Sequence, residues 1–144
     1  MKNTFIAGVL AAATGAVLAQ ATPVGLWKTI DDETKIEKSL VRITETGGVL
    51  NGKIKKLLDP ASKQDAVCEK CSDERKDKPV LGMTLLRNAR ADAANEVWEG
   101  GDILDPNNGK VYRLRLEPLD SGKRREVRGY IGPFYRNQQW IRVE

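Results

Sequence analysis

The sequence contains no histidine among its 144 residues. This absence excludes a Ser-His-Asp triad, a Cys-His dyad and a histidine-ligated zinc site. It also removes the side chain that most often acts as a general base near neutral pH. An enzyme built on this chain would have to use carboxylates, lysine, tyrosine or cysteine. We therefore expect a protein that is not an enzyme and that uses no catalytic residue, metal or cofactor.

Long apolar runs are also absent, apart from one at the N-terminus. Residues 5–18 are almost entirely apolar or small, and Lys2 is the only charge before them. This run is shorter than the roughly 20 residues that a membrane-spanning helix needs. Ala19-Gln20-Ala21 places small residues at the two positions that determine signal-peptide cleavage. We predict a cleaved signal peptide, residues 1–21, and a single domain, residues 22–144, without a transmembrane span. Export of the Gram-negative type would then deliver the protein to the periplasm or the medium.

The excess of charge is small, because 24 lysines and arginines oppose 20 aspartates and glutamates. Basic clusters occur at Lys53-Ile54-Lys55-Lys56 and at Lys123-Arg124-Arg125. No base-stacking motif accompanies them, and an exported protein rarely meets nucleic acid, so we expect no nucleic-acid partner. The clusters are typical of solvated strand faces. The alternative is attraction to anionic envelope material such as lipid headgroups or acidic glycans.

Cysteine occurs only twice, as Cys68-Glu69-Lys70-Cys71. The oxidising compartment of an exported protein favours a structural disulfide between Cys68 and Cys71. A redox-active dithiol is the first alternative, but such a pair normally lies at a helix N-terminus after a strand. Half of a zinc site is the second alternative, and it would need ligands that the chain lacks.

Strand signals, in contrast, are plentiful and evenly spaced, with turn residues between them. Gly47-Gly48 and the Asp105–Gly109 stretch are the clearest turns. The predicted strands cover residues 26–30, 39–45, 49–57, 80–86, 96–104, 111–117, 125–131 and 135–143. Residues 58–79 form one long loop between them. We predict an all-β fold, an eight-stranded antiparallel up-and-down barrel, with a sandwich or open sheet as the alternative.

Aromatic residues are few, but seven of them fall in or beside predicted strands. Core packing accounts for any one of them. The functional interpretation is a pocket whose polar or anionic ligand group meets Arg128 or Arg142. The predicted pocket walls are Trp27, Trp98, Tyr112, Tyr130 and Trp140. Arg142 has a structural alternative, which is to stack on Trp27 and close one end of the barrel.

Several stretches together resemble a known family. They are Gly25-Leu26-Trp27, Cys68-x-x-Cys71, Trp98-Glu99-Gly100-Gly101 with Asp105-Pro106, Arg128-Gly129-Tyr130-Ile131-Gly132, and Trp140-x-Arg142-Val143. The combination is similar to the exported bacterial family called domain of unknown function 2147, over residues 24–143. The resemblance implies a lipocalin-like barrel with an internal cavity. Gly25-x-Trp27 and Arg142 are compatible with a lipocalin-type end closure, whereas the long cysteine loop is unlike lipocalins.

These observations lead to two hypotheses about function. The first is an exported, non-enzymatic binding protein whose barrel holds a small apolar or amphiphilic ligand. The alternative is an envelope interaction module with a filled core. Such a module would bind a protein partner or an anionic surface through its basic faces, Lys55 and Lys56 among them, or through the loop at residues 58–79.

Overall fold

The computed structural model of the chain describes Gly8 and residues 22–144. The predicted signal peptide, residues 1–21, lies outside the described residues except for Gly8. The described part folds into eight strands and one short 3-10 helix, Asp120–Gly122. The strands are β1 (Gly25–Ile30), β2 (Glu37–Thr46), β3 (Val49–Leu57), β4 (Thr84–Asp92), β5 (Val97–Leu104), β6 (Val111–Leu119), β7 (Arg124–Ile131) and β8 (Phe134–Arg142).

The eight strands form a closed antiparallel barrel in which each strand pairs with its neighbours in the sequence. β8 returns to β1 and closes the sheet, with Trp27 opposite Arg142 and Thr29 opposite Trp140. Closure leaves no strand edge unpaired within the barrel. The predicted fold class, an eight-stranded up-and-down barrel, is confirmed.

Alternation along the strands separates the interior from the outer surface. On β2, for example, Ser39, Val41 and Ile43 are buried, whereas the residues between them are partly exposed. Buried Leu50, Leu86, Leu114 and Leu116 lie inside other strands. Further inward-facing members of the core are Ile54, Ala89, Val127 and Trp140. These side chains supply most of the apolar area that stabilises the fold.

The fourth strand differs from the prediction, because it begins at Thr84 rather than at residue 80. Gly82 has a φ of 85° and turns the chain, so Leu81 is left 39% exposed. The spacing of Leu81 and Met83 therefore belongs to a turn rather than to a strand. Beyond it the strand continues to Asp92, past the predicted end at residue 86.

The two ends of the barrel differ in construction. The chain termini and the short β2–β3, β4–β5 and β6–β7 turns lie at one end, which we call the closed end. The other end, called the open end, carries the β1–β2, β5–β6 and β7–β8 turns and the loop of residues 58–83. This loop follows Leu57 directly and thus extends from the barrel rim.

Candidate functional site

The closed end is built around Trp27, whose side chain is fully buried. Its indole Nε1 donates a 2.7 Å hydrogen bond to the Pro23 carbonyl oxygen. The Arg142 guanidinium lies 4.3 Å from the ring centroid, and that of Arg125 lies 5.6 Å away. Arg142 also donates to the Gly122 carbonyl at 3.0 Å. The structure confirms the alternative in which Arg142 stacks on Trp27 and closes the barrel.

Arg125 contributes a charge from within the barrel, since none of its surface is exposed. Burial, and to a lesser degree the nearby charge of Arg142, lowers the pKa of Arg125 to about 10. The group therefore stays protonated at neutral pH. Two guanidinium groups beside one indole make this end a cation–π closure.

A cavity of about 480 Å³ occupies the open half of the barrel. That volume lies within the range of about 300–1,000 Å³ that is usual for small-molecule sites. One side is apolar and the other side is polar. The apolar side comes from β3, β4 and β5 and consists of Ile54, Leu57, Leu85, Ile103 and Leu104, while Val127 of β7 is an apolar residue between two strands of the polar side. The polar side comes from β8, β1, β2 and β6, and its lining residues are Thr29, Ser39, Tyr112, Arg136 and Gln138.

The polar wall is held by hydrogen bonds between its own members. The hydroxyl oxygens of Thr29 and Ser39 lie 2.8 Å apart, and both side chains are buried. Trp140 Nε1 donates to Gln138 Oε1 at 3.2 Å, which orients the Gln138 amide. The wall is therefore preorganised, with its uncharged polar groups in fixed positions.

Tyr112 reaches the cavity because its inward-facing neighbour on β7 is glycine. A Cβ added to Gly129 would lie only 2.8 Å from the Tyr112 Cβ. The Tyr112 hydroxyl accepts a 3.0 Å hydrogen bond from Asn108 Nδ2 in the β5–β6 turn. The glycine in the Arg128-Gly129-Tyr130 motif thus makes room for an aromatic wall residue.

Arg136 lies at the cavity mouth and joins two turns. Its guanidinium donates to Asp32 Oδ1 at 2.6 Å and to Asp105 Oδ2 at 3.1 Å. The hydrogen bond to Asp32 is the largest factor that raises the pKa of Arg136. Arg136 was not among the ligand-binding residues predicted from the sequence. The feature that could have identified it is its even-numbered spacing from Gln138, Trp140 and Arg142, which places the four residues on the same face of one strand.

Asp31, beside Arg136, presents a carboxylate to the cavity. Its Oδ1 accepts hydrogen bonds from the backbone amides of Thr34 at 2.8 Å and Glu33 at 2.9 Å. The Thr34 amide is the main factor that lowers the pKa of Asp31. The carboxylate is therefore ionised at neutral pH.

The 58–83 loop covers part of the mouth and is stapled by the predicted disulfide. Cys68 and Cys71 are bonded, with the Sγ atoms 2.02 Å apart, and both residues are buried. The loop closes on itself through a bridge between Val67 and Pro79. The β5–β6 turn approaches the loop at Gly109, where an added Cβ would lie 2.9 Å from the Cys71 nitrogen.

An ion pair and a hydrogen bond from a guanidinium attach this loop to the barrel. Lys38 on β2 reaches Asp59 Oδ2 at 2.6 Å. Buried Arg75 donates to the Thr84 carbonyl oxygen at 2.9 Å and pairs with Asp73 at 2.6 Å. The side-chain hydrogen bond from Arg75 is the main factor that lowers the pKa of Asp73 to about 2.

The structure separates the seven predicted ligand-binding residues into four groups, of which only the first lines the cavity. Tyr112 and Trp140 line the cavity. Trp27 and Arg142 form the closed end, and Trp98 packs half-buried against the core. The remaining two, Arg128 and Tyr130, require a correction.

Arg128 and Tyr130 lie on the outer face of β7, away from the cavity. They alternate with Val127 and Gly129, whose positions line the cavity, and successive strand residues point to opposite faces. The Arg128 guanidinium lies 4.4 Å from the ring centroid of Tyr135, and the rings of Tyr130 and Tyr135 are 6.1 Å apart. Arg128 is therefore not the cationic group at the cavity mouth, and that position belongs to Arg136.

Two features are absent from the part of the chain that the structure describes. Within it, no group of three or more cysteine, aspartate or glutamate residues is arranged to hold a metal ion. No helix in the same residues has the length and apolarity to cross a membrane.

The closed end and the cavity together define the class: a lipocalin-like barrel with one closed and one open end. A solved structure described as "Protein HP1028 from the human pathogen Helicobacter pylori belongs to the lipocalin family" is similar, with a TM-score of 0.69. The match covers 84% of this chain and 82% of that chain at 18% sequence identity. An identity this low supports the shared fold and does not transfer a function.

The family follows from the sequence itself. Residues 25–142 match the family described as "Uncharacterized protein conserved in bacteria (DUF2147)". The chain belongs to this family, as the motif resemblance indicated. No curated protein sequence matches the chain.

Proposed function

We propose that this protein is an exported, non-enzymatic binding protein that holds a small amphiphilic ligand in the open half of its barrel. The cavity of about 480 Å³, with one apolar and one polar wall, carries this proposal. A cavity with both kinds of wall suits a ligand that has an apolar body and one polar group. The lipocalin-like fold is compatible with the same role.

The cavity also favours this function over the interaction module with a filled core. In such a module the open half would be packed with side chains, as protein interiors normally are. The described barrel is instead packed around Leu50, Leu86, Leu114 and Leu116 and open around Thr29 and Ser39. Hydrogen bonds within its polar wall hold Thr29, Ser39 and Gln138 in place, so the cavity is preformed.

The disulfide supports an exported protein and a structural role for the cysteines. Cys68 has no exposed surface and Cys71 is 3% exposed. A thiol–disulfide exchange site needs an accessible sulfur, since a thiolate must attack it. Oxidised cysteines fit the periplasm or the medium, which we propose as the location.

A matched pair of variants tests the cavity. Gln138→Trp inserts a large side chain into the cavity, whereas Gln139→Trp places the same side chain on the outer face of the same strand. The mature protein is titrated with N-phenyl-1-naphthylamine, an uncharged dye that fluoresces in apolar sites. We expect dye binding by the parent protein and by Gln139→Trp, and at least a tenfold loss in Gln138→Trp.

As a control, circular dichroism and a urea melt are used to check that both variants are folded. If the parent protein does not bind the dye, or if both variants bind it equally well, the proposed function is wrong. Native mass spectrometry of protein purified from the periplasm of an expression host is the second measurement. A retained adduct that dissociates on unfolding would further support an occupied cavity.

A further inference from the structure

The cationic side chains that the barrel strands present to the cavity are both engaged by carboxylates. Arg136 contacts Asp32 and Asp105, and Lys38 contacts Asp59. A ligand carboxylate would have to compete with these partners at distances of 2.6–3.1 Å. Neither cation is therefore available as a counter-ion for an anionic ligand.

Charges of both signs surround the mouth in equal numbers. Three cationic and three anionic side chains line the cavity: Lys38, Lys63 and Arg136 against Asp31, Glu69 and Asp105. Behind them, Asp32 and Asp59 add two negative charges, and Lys35 and Lys76, which donate to the carbonyl oxygens of Asp32 and Glu69, add two positive charges. An anionic group that enters the cavity would therefore lose hydration and find Arg136 and Lys38 already engaged by carboxylates.

The buried hydroxyl pair offers a hydrogen bond without a charge. Thr29 is 5% and Ser39 is 7% exposed, and both line the cavity. Each hydroxyl carries one proton, and the 2.8 Å contact between them uses only one of the two. The second proton is available for an acceptor atom in the cavity.

Gln138 adds a second donor next to the hydroxyl pair. Because Trp140 Nε1 can only donate, the Gln138 atom that it contacts is the carbonyl oxygen Oε1. The amide nitrogen Nε2 then lies on the other branch of a side chain that lines the cavity. The polar wall thus combines uncharged donors with a guanidinium that is already engaged.

We infer that the cavity selects an amphiphile whose polar group is an uncharged hydrogen-bond acceptor, such as an ester or ketone oxygen, and that it discriminates against carboxylates. This inference rests on the proposed function and names the ligand class of the same cavity. The acceptor oxygen lies against Thr29, Ser39 and Gln138, and the chain lies against the apolar wall. Free fatty acids are therefore poor ligands.

Matched competitors with one chain length test the selection. Methyl decanoate, 2-undecanone, decanoate and decylamine compete against N-phenyl-1-naphthylamine at pH 8 and constant ionic strength, below their micelle concentrations. We expect the two uncharged compounds to displace the dye at least tenfold more strongly than decanoate. A tenfold difference in affinity is roughly the contribution of one hydrogen bond that involves a charged group.

Each result of this competition has a distinct meaning. Decanoate that binds as tightly as the ester overturns the inference but leaves the proposed function intact, because the cavity is then shown to bind ligand. Decylamine that binds more tightly than the ester also overturns it, since negative charge alone would then set the selection. Failure of the dye itself to bind refutes the proposed function instead.

A double variant tests the donors themselves. Thr29→Val with Ser39→Ala removes both hydroxyls together, so no partner is left unsatisfied and the barrel is expected to remain folded. We expect the preference for methyl decanoate over decanoate to fall about fivefold. Thr44→Val, on the exposed part of β2, is the matched control. An unchanged preference in the double variant overturns the assigned role of the hydroxyl pair.

If the double variant does not fold, Gln138→Leu replaces it, with Gln139→Leu as its outer-face control. We expect the preference for methyl decanoate over decanoate to fall in Gln138→Leu and to stay unchanged in Gln139→Leu. Equal preference in both glutamine variants would overturn the inference.

Discussion

The closed end gives the most quantitative prediction, because Trp27 combines three separable interactions. Its indole nitrogen donates to the Pro23 carbonyl at 2.7 Å, its ring meets Arg142 at 4.3 Å, and Arg125 lies at 5.6 Å. Trp27→Phe removes the hydrogen bond and part of the ring. Trp27→Leu removes the aromatic face as well. The difference between the two variants therefore measures the cation–π contribution.

The expected magnitudes follow from the burial of the site. Loss of the hydrogen bond leaves the Pro23 carbonyl without its donor and costs about 1–3 kcal/mol. Loss of the aromatic face costs about 1–2 kcal/mol for each desolvated guanidinium, and two are present. We therefore expect Trp27→Phe to lower the free energy of unfolding by about 2 kcal/mol and Trp27→Leu by about 5 kcal/mol. For a domain of this size, 1 kcal/mol corresponds to roughly 3–6 °C in Tm.

Urea denaturation followed by far-UV circular dichroism measures both variants. A double-mutant cycle that combines Trp27→Leu with Arg142→Met isolates the pair at 4.3 Å. The hydrogen bonds of Arg142 to backbone carbonyls are lost in both arms that carry Arg142→Met, so they cancel. We expect a coupling free energy of about 1 kcal/mol. Equal stability of the Phe and Leu variants, together with zero coupling, would refute the account of the closed end.

Three further predictions concern the loop over the cavity mouth. In Gly109→Ala, the new Cβ would overlap a carbonyl group of the loop. We therefore expect faster protease cleavage within residues 58–83, while the circular dichroism spectrum of the barrel stays unchanged. Equal cleavage rates in the variant and the parent protein would contradict this contact. Asp73 has a pKa lowered to about 2, so its stabilising effect is present above about pH 4 and is lost as the pH falls through about 2. Asp73→Asn should therefore destabilise the protein by about 1 kcal/mol at pH 7, after allowance for solvent screening, and by clearly less at pH 2, as measured by urea melts. A pH-independent difference would be inconsistent with the ion pair. Reduction of the Cys68–Cys71 disulfide should cost at most about 2 kcal/mol in thermal melts, because it closes a very short ring; complete unfolding on reduction would show that the barrel depends on it.

Local patterns were sufficient to predict the number of strands and most of their bounds. Alternating residues and turn signals identified β3 with its observed bounds, Val49–Leu57. The fourth strand was misplaced because a glycine turn at Gly82 continued the apolar alternation of the strand beyond it. Alternation alone does not distinguish a strand from a turn that has the same spacing.

The cavity was harder to predict than the barrel that surrounds it. Arg136 contacts Asp32 across 104 residues of sequence and Asp105 across 31, so no local pattern connects them. Arg128 and Tyr130 were assigned to the cavity because both fall on a predicted strand, where an aromatic residue suits a pocket wall and an arginine suits a polar ligand group. The face of β7 on which these two residues lie is set by the strand register. A shift of one residue in the register moves every side chain of the strand to the opposite face.

The sequence by itself determined the all-β fold, the family, the disulfide and the tryptophan of the closed end, because each depends on neighbouring residues or on a short motif. Only the tertiary structure decided which side chains face the cavity and which charges cancel one another there. Barrel closure sets every strand's register at once, and it brings together residues from distant turns at the open end. The character of the cavity, in particular the engagement of Arg136 by two carboxylates, is thus a property of the closed barrel.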